Sequence, residues 1–226
     1  METPISKKEY DNWGTYNSAV FMRDKIVLNP EIKDSKGGIH NTNFTANNGN
    51  WIAEMKLSIG NTAKTNKGGN GVGIHYLKDF DSDDIGTHLF GYTKSFRGMA
   101  VYINTILSAK KDDKSANYIQ GFMGDGLTPV NVMKTKDVSN CLAVVRNLPD
   151  DQPLMLRIEY HKPELFVLFY DYEKEDFEQC FSYEADLNYP GVWLITAGNG
   201  LKNPDHVYID SFAVYDLEEK VSVGHN

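Results

Sequence analysis

The chain has 226 residues, and its 31 acidic against 23 basic side chains give a formal charge of −8. That balance repels phosphate backbones and no basic stripe stands out, so nucleic acid is not an expected partner. No apolar run approaches the ~18 residues of a spanning helix, and a supply of 13 Tyr and 11 Phe without a helical apolar stripe points to sheet.

Residues 1–11 are polar and lack an apolar signal core, so they read as a disordered or expression-derived segment outside the domain. On that basis the chain is either cytosolic or has lost a leader and gained Met1 for expression. A domain is expected over 12–217, followed by a polar, frayed tail over 218–226. Lys25–Pro30 is a short strand stopped by its proline, and Ser35–Gly38 reads as a turn. Ile39–Thr45 and Trp51–Ile59 are strands, the second alternating Trp51, Ala53, Met55, Leu57 and Ile59 with polar neighbours. Asn43-Phe44-Thr45 is a glycosylation sequon, a triplet common by chance.

Asn61–Asn70 is a polar loop, and Gly71–Leu77 is a strand whose glycines suggest close backbone approach. GGNGVG lacks the Lys-Ser/Thr of a phosphate loop and no helix follows it. Asp79, Asp81 and Asp83 start like a calcium hand, but Asp84 and Phe90 stand where Gly and Glu are needed, so a solvated acidic loop is expected. Met99–Ile103 is a strong strand, Ser108–Ser115 a charged loop, Asn117–Met123 a strand, and 127–139 has no clear period. Cys141–Arg146 is a strand. Leu154–His161 and Leu165–Tyr172 form a hairpin about Lys162-Pro163-Glu164, and Glu178–Tyr183 carries the second cysteine.

Gly191–Leu217 reads as strand, glycine loop, strand. Asn199-Gly200 tolerates a tight turn and can present bare N–H groups, a common setting for a ligand site, although a plain hairpin loop gives the same pattern. About twelve strands and no convincing helix argue for an all-β fold, a two-sheet antiparallel sandwich of jelly-roll type.

Cys141 and Cys180 are compatible with two free thiols. Bridged, they would close a loop of about 40 residues, worth roughly 4 kcal/mol in the chain-entropy model, and would place the domain in an oxidising compartment. Catalytic signatures are missing: no nucleophile elbow, no zinc helix, and six histidines without a ligand partner at zinc spacing. His75, within a strand, reads as a packed or hydrogen-bonded core residue. The acidic pairs Glu184/Asp186 and Glu173/Glu175 are spaced like glycosidase carboxylates, yet neither sits in an apolar strand that would fix it, so no enzyme is expected.

The order of motifs resembles the L-type (leguminous-type) lectin domains of the ER–Golgi cargo receptors, with their concanavalin-A-like fold. KIVLNPEIKDSKGGIHN (Lys25–Asn41) looks like the family's early segment, and GNGVGIHY (Gly69–Tyr76) looks like its GDGLAFWY. FRGMAVYIN (Phe96–Asn104) looks like its NGLGVFFD, and Thr196–Phe212 like its SAATGGL…HDVLSF. The resemblance pairs Cys141 with Cys180 in a disulfide. It implies a domain in the lumen of the early secretory pathway (ER, ER–Golgi intermediate, Golgi) that binds high-mannose N-glycans on cargo, usually with Ca²⁺.

The family's mannose-binding Asp falls on Asn70, which keeps an acceptor but loses the charge that roughly doubles such a bond. Its glycine loop falls on Asn199, Gly200 and Leu201. Its calcium loop, Asp-Ser-Phe-Asp-Asn-Asp, falls on Asn104–Ala109, which holds no carboxylate. A sugar-binding His is lacking between Gly126 and Cys141, where Asp137 is the one acidic stand-in. The resemblance thus implies a carbohydrate site of Asn70, Asn104, Ser108, Asn199, Gly200 and Leu201, with no metal ligand assigned. No cofactor is assigned either, Ca²⁺ staying open with its loop degraded. Expected partners are high-mannose glycans or glycoprotein cargo, a membrane only through regions absent from this chain, and an oligomer is allowed. The alternative is a lectin-like sandwich that has lost sugar binding and serves as a protein–protein or assembly module.

Overall fold

The computed structural model describes residues 13–41, 49–65, 67–111, 114–136 and 138–217. The sequon at Asn43, Asp137, the N-terminal segment and the C-terminal tail lie outside the described residues. Two antiparallel sheets of seven strands each face one another. The first holds, in spatial order, β1 (Trp13–Asn17), β4 (Lys36–Asn41), β13 (Val192–Gly198), β6 (Gly71–Leu77), β7 (Arg97–Lys111), β8 (Lys114–Asp125) and β9 (Asn140–Ala143). The second holds β12 (Asp176–Glu184), β11 (Glu164–Asp171), β10 (Leu154–His161), β5 (Asn50–Gly60), β14 (His206–Leu217), β3 (Ile26–Asn29) and β2 (Val20–Phe21).

Period-2 patterning builds the second sheet. In β5 and β10, Trp51, Ala53, Met55, Leu57, Leu156 and Ile158 point inward and are buried, while Glu54 and Arg157 pair on the outer face. Opposite them Tyr76 and Trp193 come from the first sheet. Trp51 meets Trp193 edge-on at 5.2 Å between ring centroids, a favoured aromatic geometry.

The first sheet is covered on both faces, which is why GVGIHYL shows no alternation: every residue of β6 is buried. Its outer face carries a second apolar cluster, with Phe90, Tyr92 and Phe96 from the preceding loop and Val132 from the 127–136 segment packed on Leu77, Tyr102 and Leu194. His75 lies inside it with Nδ1 3.3 Å from the Leu194 carbonyl and Nε2 3.2 Å from the Tyr102 hydroxyl. Burial pushes its pKa down to about 3, so it is a neutral core residue at working pH.

Several expectations need correction. β13 and β14 do not form a hairpin, because they belong to different sheets and the 199–205 loop crosses between them. Within the expected loop Ser108–Ser115, residues 108–111 belong to β7 and 114–115 to β8, pairing Ser108 with Asn117 and Lys110 with Ser115, while 112 and 113 lie outside the described residues. Gly37 and Gly38 sit inside β4 rather than in a turn. A β-carbon at position 37 would lie 1.9 Å from the Leu28 carbonyl oxygen, so close approach, not turning, is what glycine serves there. The Cys141–Cys180 disulfide is present and ties edge strand β9 of one sheet to edge strand β12 of the other.

Candidate functional site

Three loops and one strand irregularity converge at the end of the first sheet where β6 begins. They are the turn 30–35 between β3 and β4, the loop 61–70 entering β6, the crossover loop 199–205, and a bulge in β7. The bulge lies between Asn104, opposite Tyr118, and Ser108, opposite Asn117.

A buried ion pair fastens two of the loops. Arg146 places Nη2 2.5 Å from Oδ1 of Asp205 and Nε 3.2 Å from Oδ2. Its Nη1 donates to the Thr65 carbonyl at 2.8 Å. Asp205 also accepts from the Gly69 N–H at 3.0 Å and from Asn61 Nδ2 at 3.3 Å. The carboxylate is therefore compensated both by charge and by donors, which a buried charge requires.

Asn199 fastens the third loop. Its Nδ2 donates to the carbonyls of Asp205 (2.8 Å), Pro30 (3.0 Å) and Ile32 (3.1 Å), and its Oδ1 accepts from the Asp205 N–H at 2.8 Å. Its own N–H donates to the Ser35 carbonyl at 2.8 Å, and the Asp34 N–H donates to the Gly200 carbonyl at 3.1 Å. Gly69 must be bare, since a β-carbon there would lie 2.2 Å from Asn199 Oδ1.

Asn70 and the Gly200–Leu201 loop adjoin at this end of the sheet. The backbone of Asn70 is fixed, its N–H donating to the Gly198 carbonyl (3.2 Å) and its carbonyl accepting from the Thr105 N–H (3.2 Å). Its side chain is mostly buried and takes no hydrogen bond among the described residues. A β-carbon at position 200 would lie 3.3 Å from Asn70 Oδ1, so the two residues are packed against each other. Among the described residues the N–H groups of Gly200 and Leu201 have no acceptor, and the Leu201 side chain is 73 % exposed at the rim. A carbonyl acceptor, an amide donor, free N–H groups and one apolar contact are the kinds of group that can pair with a polyhydroxylated ligand.

A legume-like lectin family model matches residues 3–221. The chain belongs to the legume-like lectin family. No curated protein matches the sequence. Among solved structures the fold is similar to the VIP36 exoplasmic/lumenal domain in its Ca²⁺/Man-bound form, with TM-score 0.80 and 20 % identity over 94 % of this chain and 86 % of that one. It is also similar to the legume lectin-like domain from Entamoeba histolytica (TM-score 0.72, 19 % identity, 95 % of each chain) and to the Emp47p carbohydrate recognition domain (TM-score 0.71, 18 % identity, 91 % and 89 %).

In this legume-like lectin the residues singled out from sequence divide into two groups. Asn70, Gly200 and Leu201 lie together and keep polar groups without a partner among the described residues. Asn199 is 1 % exposed and its amide faces inward, so its side chain shapes the loop. Asn104 is fully buried and uses all four of its positions. Nδ2 donates to Gln120 Oε1 and the Val132 carbonyl, both at 2.9 Å, and Oδ1 accepts from the N–H groups of Ile106 (3.2 Å) and Leu107 (3.1 Å). It braces the bulge and has no free polar atom for a ligand, which corrects the expectation of a hydroxyl contact. Ser108 stands exposed beyond the bulge.

A calcium ion does not fit the run Asn104–Ala109. Ca²⁺ takes six to eight oxygens, several of them carboxylates. This run holds none, its one amide oxygen is occupied, and the Val132 carbonyl already receives an N–H. Among the described residues no group of three or more His, Cys, Asp or Glu side chains could hold a metal.

Sequence reasoning missed Arg146, Asp205, Asn61 and Gln120. Arg146 and Asp205 are 59 residues apart, and only the fold reveals that they pair. The one hint was an arginine ending the apolar run CLAVV. Glu184, Asp186, Glu173 and Glu175 are all exposed, as a charged surface would have them.

Proposed function

We propose that this chain is a carbohydrate-binding domain that recognises mannose-type N-glycans on secretory glycoproteins and acts in ER–Golgi cargo transport within the lumen. The observation that carries the reading is the cluster of Asn70, Gly200 and Leu201, where a side-chain amide and backbone N–H groups without partners among the described residues adjoin the exposed Leu201. The VIP36 domain, whose fold this chain shares, has Man-, Man2- and Man3GlcNAc-bound forms. A disulfide across the two sheets supports an oxidising compartment. Affinity per domain is weak, because sugar hydroxyls exchange water bonds for protein bonds at little net gain. Calorimetric titration with a high-mannose oligosaccharide tests it. Binding that Asn70→Ala abolishes is expected, and no heat with the folded wild type overturns the assignment.

The inward-facing amides of Asn104 and Asn199 favour a second reading, a lectin-like module that binds protein. Partners that stay bound after enzymatic glycan removal would select it over the first.

A further inference from the structure

We infer that a clasp of buried amides does in this protein the mechanical work of a divalent cation, holding the 130–134 segment onto β7 and β8 so that the backbone at Asn70 is set in place without metal. The inference deepens the glycan-binding reading and rests on it for its sugar arm alone.

The clasp spans three pieces of chain. Asn104 at the end of regular pairing in β7 donates to Gln120 Oε1 on β8 and to the Val132 carbonyl. Gln120 Nε2 donates to the Lys134 carbonyl at 2.8 Å. Asn117 Nδ2 donates to the carbonyls of Leu107 (3.0 Å) and Thr105 (3.3 Å), closing the bulge from its other side. The three side chains are between 0 and 2 % exposed.

The chemistry is complementary to that of a cation site. A cation gathers oxygens around one positive centre. Here the same kind of oxygens, two backbone carbonyls of the 130–134 segment, receive the positive edges of two amide groups. Thr105, inside the bulge, bonds through its N–H to the carbonyl of Asn70 and through its carbonyl to the N–H of Gly68. The clasp therefore positions the backbone of Gly68 and Asn70. Every amide position of Asn104 is matched, and such matched buried amides rigidify the region around them; the Thr105 hydroxyl in the bulge takes no partner among the described residues.

Wild-type protein stripped with EDTA is titrated with calcium chloride alone and followed by thermal melting, and high-mannose binding is measured in calcium and in EDTA. We expect a melting shift below ~1 °C and glycan affinities equal within about twofold. A saturable calcium-induced rise of about 4 °C or more overturns the inference, as does glycan binding seen only with calcium. Absence of glycan binding in both buffers counts against the proposed function, while the calcium melting result still decides the clasp. Amide exchange in Asn104→Asp and Gln120→Met supplies the second measurement. Faster exchange at Met133 and Lys134, with β10 and β11 unchanged, is expected, and unchanged exchange at those residues in both variants overturns the clasp. Should either variant fail to fold, the wild-type titration carries the decision.

Discussion

The guanidinium of Arg146 and the carboxylate of Asp205 lie 2.5 Å apart with both side chains closed off from water. Through Gly69, Thr65 and Asn61 this pair ties the loop that enters β6 to the loop that leaves β13. Removing one partner leaves an uncompensated buried charge. Arg146→Met is expected to cost about 3–5 kcal/mol in urea denaturation and to weaken glycan binding at temperatures where the variant is folded. An unchanged midpoint would show that the pair is not what holds these loops.

Gly69→Ala probes the same region without altering charge. The new methyl group collides with Asn199 Oδ1, and the loop must move. A loss of about 1–3 kcal/mol is expected, together with reduced glycan affinity. Leu201→Ala is the contrast. The side chain is mostly exposed, so stability should stay within ~0.5 kcal/mol while calorimetric affinity falls.

His75 sets a pH dependence whose sign can be worked out. Its ordinary pKa of 6.5 drops to about 3 in the folded state, so the unfolded chain binds the proton first. Stability is complete above the unfolded value and declines as pH falls from about 6.5 toward 3. Between pH 7 and 5 one such group costs about 2 kcal/mol. Denaturation midpoints over that range should fall in the wild type and flatten in His75→Gln, whatever the variant's starting stability.

Opening the Cys141–Cys180 bridge, by reductant or by paired replacement with serine, should lower stability by about 2–4 kcal/mol. The bridge joins β9 to β12 at the far edges of the two sheets, away from β6. Glycan affinity of the reduced, folded protein should match that of the oxidised form, and a loss of affinity would show that the sheet edges govern the Asn70–Gly200 site.

The strands were legible because their signals are local. Trp51–Ile59 alternates faces, and that alternation is what β5 buries. The hairpin of β10 and β11 announced itself by its turn. Legibility failed where distant segments decide. The strand residues 108–111 and 114–115 are mostly charged or polar, and they are held by pairing with each other's strand rather than by apolar content. The crossover at 199–205 looks like a hairpin loop in one dimension, since its sheet change depends on which strands lie on either side. At the site, the glycine-bearing loop and Asn70 could be picked out by residue type. The inward rotation of Asn104 and Asn199 could not, because an asparagine spells the same whether it faces a ligand or three backbone carbonyls.

Asn199 has a kinetic consequence. Its side chain fastens the rim before any ligand arrives, so docking demands no loop closure and no ordering step. Association then runs at the ordinary orientation-limited rate of about 10⁵–10⁷ M⁻¹s⁻¹, and preference among ligands is written in dwell time alone. On the glycan-binding reading, a site built this way samples many ligands quickly and retains the few that leave slowly.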